Sequence, residues 1–366
     1  MQKFIKAYND DLLPLIYDQG TVGASGDLAP LSHLCLGLIG EGKLYDAETK
    51  EYADAKIVME KKKYEKIELG PKEGLSLING TQFLSAFLNE AYFRAKKLAL
   101  TAEVIFALTL EVLNGKMTIF YINNTFSGPI EAFHPNLFIF KSNSKEASVA
   151  EKIRKYVLDS ENPSELRTFF KQQAIESPLI NEPYSFICFP QAHGQIWDTL
   201  DFVEEIITNE INAVTDNPLV FTQEDDPELV NDHAIISGGN FHGEYVAKAA
   251  DYLGLAVHDL AMMSEVFFIK YMNTEYILFI IKRRIERLVN PYLNEKLPAF
   301  LAESGGLNSG FMIVQYTAAS LVSENKHLSN PASIDTIPTS AEQEDHVSMG
   351  GIFINIRYSF FIIIMY

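Results

Sequence analysis

The most informative stretch of the sequence is GTVGASGDLAPLSH, residues 20–33. Its middle, GASGD, is close to the G-x-S-x-G turn that presents a nucleophilic serine in hydrolases. Asp27 stands where that turn needs its second glycine, and no apolar strand precedes it, so a serine hydrolase is a poor match. A simpler interpretation is a helix start, in which Ser25 or Asp27 caps a helix that begins at Leu28 and holds Pro30 in its first turn. That interpretation leaves most of the string unexplained.

Downstream of this stretch, apolar residues recur at helical spacing in three long segments. These segments are Gln82–Leu113, Gln195–Val214 and His242–Glu265, and a fourth and more polar one is Val314–His327. The charged stretch Lys43–Glu68 is predicted to hold short strands or a loop. The sequence therefore predicts a mainly α protein with irregular, glycine-containing segments between its helices.

Composition bears on partners, cofactors and location. The 366 residues are 47% hydrophobic, which is enough for a buried core. A net charge of −18 argues against nucleic acid or an anionic membrane as partner, because both need clustered Lys and Arg. The two cysteines, Cys35 and Cys188, and the lack of a visible signal peptide predict a cytoplasmic protein without a disulfide framework. The histidines show no ligand spacing and no G-x-G-x-x-G loop occurs, so neither a metal nor a nucleotide cofactor is predicted.

Three stretches differ in composition from the rest of the chain. They are rich in residues with AT-rich codons, and they are Val266–Lys282, Ile352–Tyr366 and, more weakly, Lys116–Phe126. The first begins with a residue whose codons start with GT and ends with one that AAG encodes, so we interpret it as a translated intron. A natural insertion, or a membrane anchor for the tail, is the alternative, although the tail is shorter than the roughly 20 residues of a spanning helix. Transcript sequence that retains these codons would refute the intron interpretation.

The whole string at 20–33 resembles the signature of the histidine and phenylalanine ammonia-lyase family. Further blocks resemble family segments in the same order, at 73–82, 182–185 with 190–191, 212–218, 236–242, 306–312 and 338–349. In that family an Ala-Ser-Gly backbone cyclises and dehydrates into a methylidene-imidazolone electrophile, so the resemblance assigns this group to Ala24, Ser25 and Gly26. Glycine suits the third position because its unshielded amide nitrogen can reach back to the alanine carbonyl.

The resemblance also implies a fold and an organisation. The fold is a mainly α, long-helix bundle of the ammonia-lyase type, with a small irregular α+β segment around the Ala-Ser-Gly loop. Residues 1–80 are then the prosthetic-group loop segment and 81–351 the central helical bundle, with 266–282 as an insertion and 352–366 as a non-native tail. The family's N-terminal region and C-terminal helices are expected to be missing from this chain. The implied assembly is a homotetramer whose sites combine residues of several subunits.

Five residues receive supporting or catalytic roles from the same resemblance. Asn79 and Phe241 are expected to hold the prosthetic group, and Asp27 is expected to support its loop. Tyr184 is expected beside the substrate, and Glu344 near the substrate amine or imidazole. A carboxylate in the last position suits a substrate imidazole or ammonium better than a phenyl ring.

The implied substrate is L-histidine, and the implied reaction eliminates ammonia to give trans-urocanate. Met312 and Gln343 are expected to line the substrate pocket. Ile187 stands where the family carries an arginine that binds the substrate carboxylate, and this exchange should weaken binding by on the order of 2–5 kcal/mol. Two alternatives stay open: a phenylalanine or tyrosine ammonia-lyase or aminomutase of the same family, and a catalytically inactive fragment.

Overall fold

The computed structural model describes residues 2–17, 19–23, 26–113, 132–141, 145–158, 184–229, 233–263, 288–291 and 297–350. Ala24, Ser25 and the three stretches of unusual composition lie outside these residues, so the predictions made for them stay predictions. The described residues form two compact units. The first unit holds the described parts of 2–89, 206–250 and 331–350, and the second unit holds those of 90–205 and 251–330.

The first unit combines short helices with two β-hairpins. Its helices are α1 (Gln2–Asn9), α2 (Leu28–Leu38), α3 (Ala55–Lys61) and α4 (Glu73–Ile78). Its antiparallel pairs are β1 (Lys43–Asp46) with β2 (Glu51–Asp54), and β3 (Leu219–Thr222) with β4 (His233–Ile236). A small buried core joins α1, α2, α3 and β1, and it includes Ala7, Leu12, Leu38, Leu44, Val58 and Met59.

The charged stretch Lys43–Glu68 contains the predicted short strands and also a helix that the sequence did not predict. Helix α3 begins after Asp54, whose side chain accepts a hydrogen bond from the backbone nitrogen of Lys56 at 2.9 Å. Such a cap satisfies one of the amide groups that the first turn leaves without a partner. Because α3 is two turns long, its few apolar residues form no periodic pattern long enough to recognise.

All four helices predicted from apolar spacing are present. The other α-helices among the described residues are α5 (Gln82–Leu113), α6 (Glu146–Leu158), α7 (Tyr184–Ile187), α8 (Phe189–Ile211), α9 (Glu244–Met263) and α10 (Met312–Leu328). Helix α5 has the predicted bounds. Each described end of α9 and α10 lies within two residues of the predicted end. Helix α8 both starts and ends earlier in the chain than predicted. The division between the two units falls within α5, α8 and α9. The mainly α fold class is confirmed.

The second unit has an aromatic core. Phe106 of α5 stacks on Phe189 of α8 with ring centroids 3.6 Å apart, and Phe189 stacks on His193, one turn later, at 3.7 Å. Phe133 and Phe186 pack against the same cluster, and all five side chains are buried. Rings of this size bury large apolar areas, so this cluster is a main source of stability for the second unit.

A buried carboxylate joins three helices of the same unit. Glu103 of α5 is fully buried, and its Oε1 accepts a hydrogen bond from Nε1 of Trp197 on α8 at 2.6 Å. The ammonium group of Lys152 on α6 lies 3.3 Å from both carboxylate oxygens and 4.3 Å from the Trp197 ring centroid. Burial raises the pKa of Glu103, while the Trp197 hydrogen bond and the Lys152 charge act in the opposite direction.

Two features of the described residues concern membrane spans and disulfides. Within the described ranges, no helix combines the length and the hydropathy of a membrane-spanning segment. Cys35 is buried, Cys188 is half-buried, and neither forms a disulfide.

Candidate active site around the 20–27 loop

The hydroxyl group of Thr21 forms hydrogen bonds on both sides of the predicted Ala-Ser-Gly group. Oγ1 of Thr21 donates a hydrogen bond to Oδ1 of Asp27 at 2.6 Å. The same oxygen accepts a hydrogen bond from the backbone nitrogen of Gly23 at 3.2 Å. Thr21 therefore links the residues before the Ala24–Ser25 dipeptide to the residue after Gly26.

Asp27 is fully buried in the first unit. Burial raises the pKa of Asp27 from 3.8 to about 6, although the Thr21 hydrogen bond lowers it. Its Oδ2 has no hydrogen-bond partner among the described residues. Asp27 does precede α2, but its side chain makes no cap hydrogen bond. The prediction that Asp27 could cap this helix is therefore wrong, because its carboxylate bonds to Thr21 instead.

Two glycines of the loop are pressed against backbone from elsewhere in the first unit. Gly26 has a φ of +90°, and a Cβ at this position would lie 2.8 Å from the backbone nitrogen of Gly80 and 3.2 Å from Cα of Asn79. Gly23 has a φ of +74°, and a Cβ there would lie 2.8 Å from the backbone nitrogen of Gly350. Both the left-handed backbone and the contacts require glycine at these two positions. The backbone of Asn79 and Gly80 thus lies against Gly26, while the supporting role expected of Asn79 stays a prediction.

Ser348 connects this loop to two other segments. Its hydroxyl is fully buried and donates a hydrogen bond to the backbone oxygen of Gly23 at 2.9 Å. It also accepts a hydrogen bond from the backbone nitrogen of Gly243 at 3.1 Å. Two residues after Ser348, the backbone nitrogen of Gly350 donates a hydrogen bond to the carbonyl oxygen of Val22 at 2.9 Å. Two consecutive carbonyls before Ala24 are thus held by residues 348–350.

Asn79 is itself held by the Asp-Asn-Pro segment at 216–218, a block to which the resemblance assigned no role. Nδ2 of Asn79 donates to the backbone oxygen of Asn217 at 3.1 Å. The Oδ1 of Asn217 accepts from the backbone nitrogen of Gly238 at 2.8 Å and from the hydroxyl of Ser237 at 3.2 Å. Asn217 therefore connects Asn79 with the segment that leads to Phe241.

Charge and hydrogen bonds fix the same segment to helix α4. Asp216 pairs with the ammonium group of Lys72, and it accepts a hydrogen bond from the Ser76 hydroxyl at 2.6 Å. Burial raises the pKa of Asp216, but the hydrogen bonds from Lys72, Ser76 and the backbone of Asn217 outweigh it, so this pKa lies below its usual value. The carboxylate is therefore ionised at neutral pH and retains its ion pair.

Glu344 follows a turn of unusual backbone conformation. Ser340, Ala341 and Glu342 have φ values of 52°, 55° and 69°, a left-handed region that costs non-glycine residues roughly 1–2 kcal/mol each. Across this turn, Oε2 of Glu344 accepts a hydrogen bond from the Thr339 hydroxyl at 2.5 Å. The Glu344 side chain is half-buried. Strain of this kind often accompanies functional segments, and here it lies directly before Glu344.

The predicted site residues fall in both units. Gly26, Asp27 and Asn79 lie together in the first unit. Phe241, half-buried, and Gln343, exposed, belong to the same unit as Glu344. The residues that belong to the second unit are Tyr184, whose side chain lies outside the description, Ile187, half-buried at the end of α7, and Met312, half-buried at the start of α10. That these three join the others in one site stays a prediction.

Three residues that organise the loop received no role from the sequence pattern. Thr21 had a visible signal, because a hydroxyl residue and an acid flank the Ala-Ser-Gly triplet. Ser348 and Asn217 had none, since their partners are distant in sequence and their own surroundings are unremarkable turns.

Within the part of the chain that the structure describes, no group of three or more His, Cys, Asp and Glu side chains is suited to a metal ion. The predicted lack of a metal stays a prediction.

Comparison with known proteins identifies the family. The family described as aromatic amino acid lyase matches residues 1–357. Histidine ammonia-lyases of Bos taurus and Bacillus subtilis are 45% and 43% identical over 96% of this chain, which covers 47% and 59% of their lengths. The crystal structure of histidine ammonia-lyase from Trypanosoma cruzi matches 99% of this chain and 58% of its own, with 41% identity and a TM-score of 0.76. A phenylalanine aminomutase of Pantoea agglomerans is 28% identical, with a TM-score of 0.78.

The match extends along nearly the whole chain, while the chain spans about half the length of the mammalian relatives. The ammonia-lyase type of fold that the sequence predicted is confirmed. The blocks that carried the resemblance, from the loop at 20–33 to the segment at 338–349, lie within the matched residues. The chain therefore belongs to the aromatic amino acid lyase family.

Proposed function

We propose that this chain carries the prosthetic-group loop of a histidine ammonia-lyase, which eliminates ammonia from L-histidine to give trans-urocanate. The observation that carries the proposal is the environment of the loop. Gly26 is pressed against the backbone of Asn79 and Gly80, and the buried Asp27 keeps one carboxylate oxygen without a partner among the described residues. Both features fit a compact ring made from the loop's own backbone, with Asp27 beside it.

Formation of this methylidene-imidazolone balances as the loss of two water molecules. The Gly26 nitrogen bonds to the carbonyl carbon of Ala24, whose oxygen leaves as the first water with the amide hydrogens of Gly26 and Ser25, and the Ser25 nitrogen forms a double bond to the same carbon. Ser25 then loses its hydroxyl and its α-hydrogen as the second water, which leaves a carbon–carbon double bond. Asp27, with a pKa of about 6, can exchange a proton near neutral pH, as this dehydration requires.

The finished group supplies an electrophile, which the ordinary side chains of proteins lack. Asn79, Phe241 and Asp27 are the residues proposed to hold it. Asn79 suits this role because the hydrogen bond to the Asn217 carbonyl fixes its side chain. Phe241 follows the segment that the Asn217 side chain holds through Gly238, while the Asn217 backbone carbonyl holds Asn79, so one residue bonds to both segments.

Histidine as substrate is supported by two independent facts. The curated relatives named above are histidine ammonia-lyases, at identities well above those of the aminomutase. Glu344 offers a carboxylate that can pair with an imidazole or an ammonium group, and Thr339 holds it in place. In this proposal Gln343 and Met312 line the pocket, and Tyr184 lies beside the substrate as a catalytic residue. A phenylalanine or tyrosine lyase or aminomutase is the alternative outcome of the test below.

The proposal includes self-association of the chain into a homotetramer. One face of helix α5 exposes Phe93, Leu100, Val104 and Leu108, each at least 40% accessible. Their spacing of seven, four and four residues places them on one side of the helix. A stripe of this kind on a long helix suits packing against the same stripe of another copy. The unpaired cysteines agree with the cytosol as location.

A mass measurement and a substrate assay test the proposal together. The proteolytic peptide that contains residues 20–33 should weigh less than its unmodified sequence by two water molecules. Ser25→Ala should abolish this loss without unfolding the protein. Purified chain is then offered L-histidine, L-phenylalanine and L-tyrosine, and the unsaturated acids are detected by their ultraviolet absorbance. An unmodified peptide in a folded preparation would contradict the proposal, and cinnamate or coumarate in place of urocanate would favour the alternative.

Ile187 provides a second test of the same function. Ile187→Arg restores the fork that binds the substrate carboxylate, so we expect kcat/KM for histidine to rise by at least about 30-fold, the equivalent of about 2 kcal/mol. Ile187→Lys is the matched control, since it adds the charge without the bidentate geometry and should gain less. If neither variant gains activity while the triplet is processed, Ile187 does not occupy the position of the family arginine.

A further inference from the structure

The contacts of Ser348 reach the peptide that immediately precedes the Ala24-Ser25-Gly26 triplet. The carbonyl that Ser348 bonds belongs to Gly23 and therefore lies in the peptide unit that contains the nitrogen of Ala24. A peptide unit is planar, so fixing this carbonyl fixes the direction from which the chain enters Ala24. The hydroxyl is itself oriented, because it accepts the N–H of Gly243 while it donates to Gly23.

The other end of the triplet is fixed independently. Gly26 lies against Asn79 and Gly80, and Asp27 is bonded to Thr21. Cyclisation requires the Gly26 nitrogen to approach the carbonyl carbon of Ala24, and such a reaction speeds up when both ends are held in a near-attack arrangement. At the other end, the carbonyl of the peptide before Ala24 accepts its hydrogen bond from the buried hydroxyl of Ser348.

We propose that Ser348 is a positioning residue for the maturation of the Ala24-Ser25-Gly26 group: its buried hydroxyl aligns the peptide before Ala24 and thereby accelerates cyclisation. This inference rests on the proposed function, since it assumes that the triplet is processed. It also gives the segment that carries Glu344 a second task. Because Ser348 lies four residues after Glu344, the loop matures fastest once this segment has docked.

Ser348→Ala in the full chain tests the inference. Protein is produced in a short pulse of cell-free synthesis, and the fraction of residue 20–33 peptides that have lost two water molecules is followed by mass spectrometry. We expect processing to slow about fivefold, the effect of one neutral hydrogen bond on a rate. Ser85→Ala is the matched control, because Ser85 is also a buried serine of the first unit but its hydroxyl has no hydrogen-bond partner among the described residues.

The outcomes distinguish a failure of this inference from a failure of the proposed function. Slower processing in folded Ser348→Ala, with Ser85→Ala at the wild-type rate, supports the positioning role. Equal rates in Ser348→Ala and wild type overturn the inference and leave the proposed function intact. An unprocessed wild-type peptide overturns both. If Ser348→Ala does not fold, Ser348→Cys takes its place, since the thiol is similar in size but a weaker donor, and an unchanged rate would then refute the inference.

Discussion

Two buried carboxylates, one in each unit, are satisfied to different degrees. Asp27 and Glu103 are both fully buried. Glu103 accepts a hydrogen bond from Trp197 at 2.6 Å and faces the ammonium group of Lys152 at 3.3 Å. Among the described residues, the carboxylate of Asp27 bonds to the hydroxyl of Thr21 at 2.6 Å, and its second oxygen has no partner there.

We propose that this difference separates a structural acid from a functional one. Burial raises the pKa of both groups, but a positive charge offsets the effect only at Glu103. An incompletely satisfied buried acid costs stability, so it persists where something else depends on it. Glu103 joins three helices, whereas Asp27 adjoins the loop that we propose to be processed. In this proposal the number of hydrogen-bond and charge partners, more than burial or pKa, distinguishes the two carboxylates.

The largest expected effect on stability concerns Glu103, the carboxylate that has both a hydrogen-bond donor and a counter-charge. Lys152→Met keeps an apolar stem over Trp197 but leaves Glu103 buried without its counter-charge, so the free energy of unfolding at pH 7 should fall by about 3–5 kcal/mol. Urea denaturation followed by circular dichroism measures it. The double variant Lys152→Met with Glu103→Leu should recover much of the loss. Equal stability of the single variant and wild type would show that Glu103 needs no counter-charge.

The next effect has the opposite sign and concerns Asp27. Because its folded pKa of about 6 lies above its ordinary value of 3.8, the unfolded chain releases this proton at lower pH than the folded chain does. Stability due to Asp27 is therefore lost as pH rises from about 4 to about 6, by on the order of 3 kcal/mol in total. Asp27→Asn should remove this loss, so the variant should unfold at higher urea concentration than wild type at pH 7 and at a similar one at pH 3.5.

Asp46 supplies the matched control for this pH dependence. The hydrogen bond from Lys61 holds the pKa of Asp46 below its usual value. Asp46→Asn should therefore destabilise the protein at pH 7 and have little effect at low pH, the reverse of Asp27→Asn. If both variants shift the urea midpoint in the same direction with pH, Asp27 is not the source of the expected slope.

A smaller effect is expected for the one hydrogen bond that Asp27 does have. Thr21→Val is nearly isosteric and removes the donor to Asp27, so it should cost about 2 kcal/mol at pH 7, and less at pH 4 where the carboxyl is protonated. Thermal unfolding at the two pH values measures the difference. Trp197→Phe makes the corresponding deletion at Glu103. A loss from Thr21→Val that is independent of pH would mean that Asp27 is not ionised in the folded protein.

The smallest expected effect on stability concerns Ser85, a buried polar residue of the first unit. The Ser85 hydroxyl is buried without a hydrogen-bond partner in the described part of the chain, and no function is proposed for it. Ser85→Ala should change the unfolding free energy by less than about 1 kcal/mol, and toward stabilisation, because a buried polar group without a partner is removed. A marked loss in urea denaturation would instead reveal a contact of this hydroxyl with the rest of the chain.

Local pattern predicted much of this architecture. The four long helices followed from apolar spacing at 3.6 residues, which depends only on neighbours along the chain, and α5 was predicted to the residue. The fold type and the family followed from the string at 20–33 and the ordered blocks after it. Helix α3 was missed because two turns are too short for a periodic signal, and the capping role of Asp27 was wrong because the choice between a cap and Thr21 depends on three-dimensional geometry.

The order of residues alone thus establishes a mainly α member of the aromatic amino acid lyase family and indicates which triplet to test. Folding adds what no local pattern contains: that Ser348 bonds a carbonyl 325 positions earlier, and that Asn217 holds Asn79 from 138 positions away. Folding also decides that Asp27 is buried and half-satisfied while Glu103 is paired. Hydrogen bonds and burial depend on which distant segments meet, and close packing of the whole chain determines that.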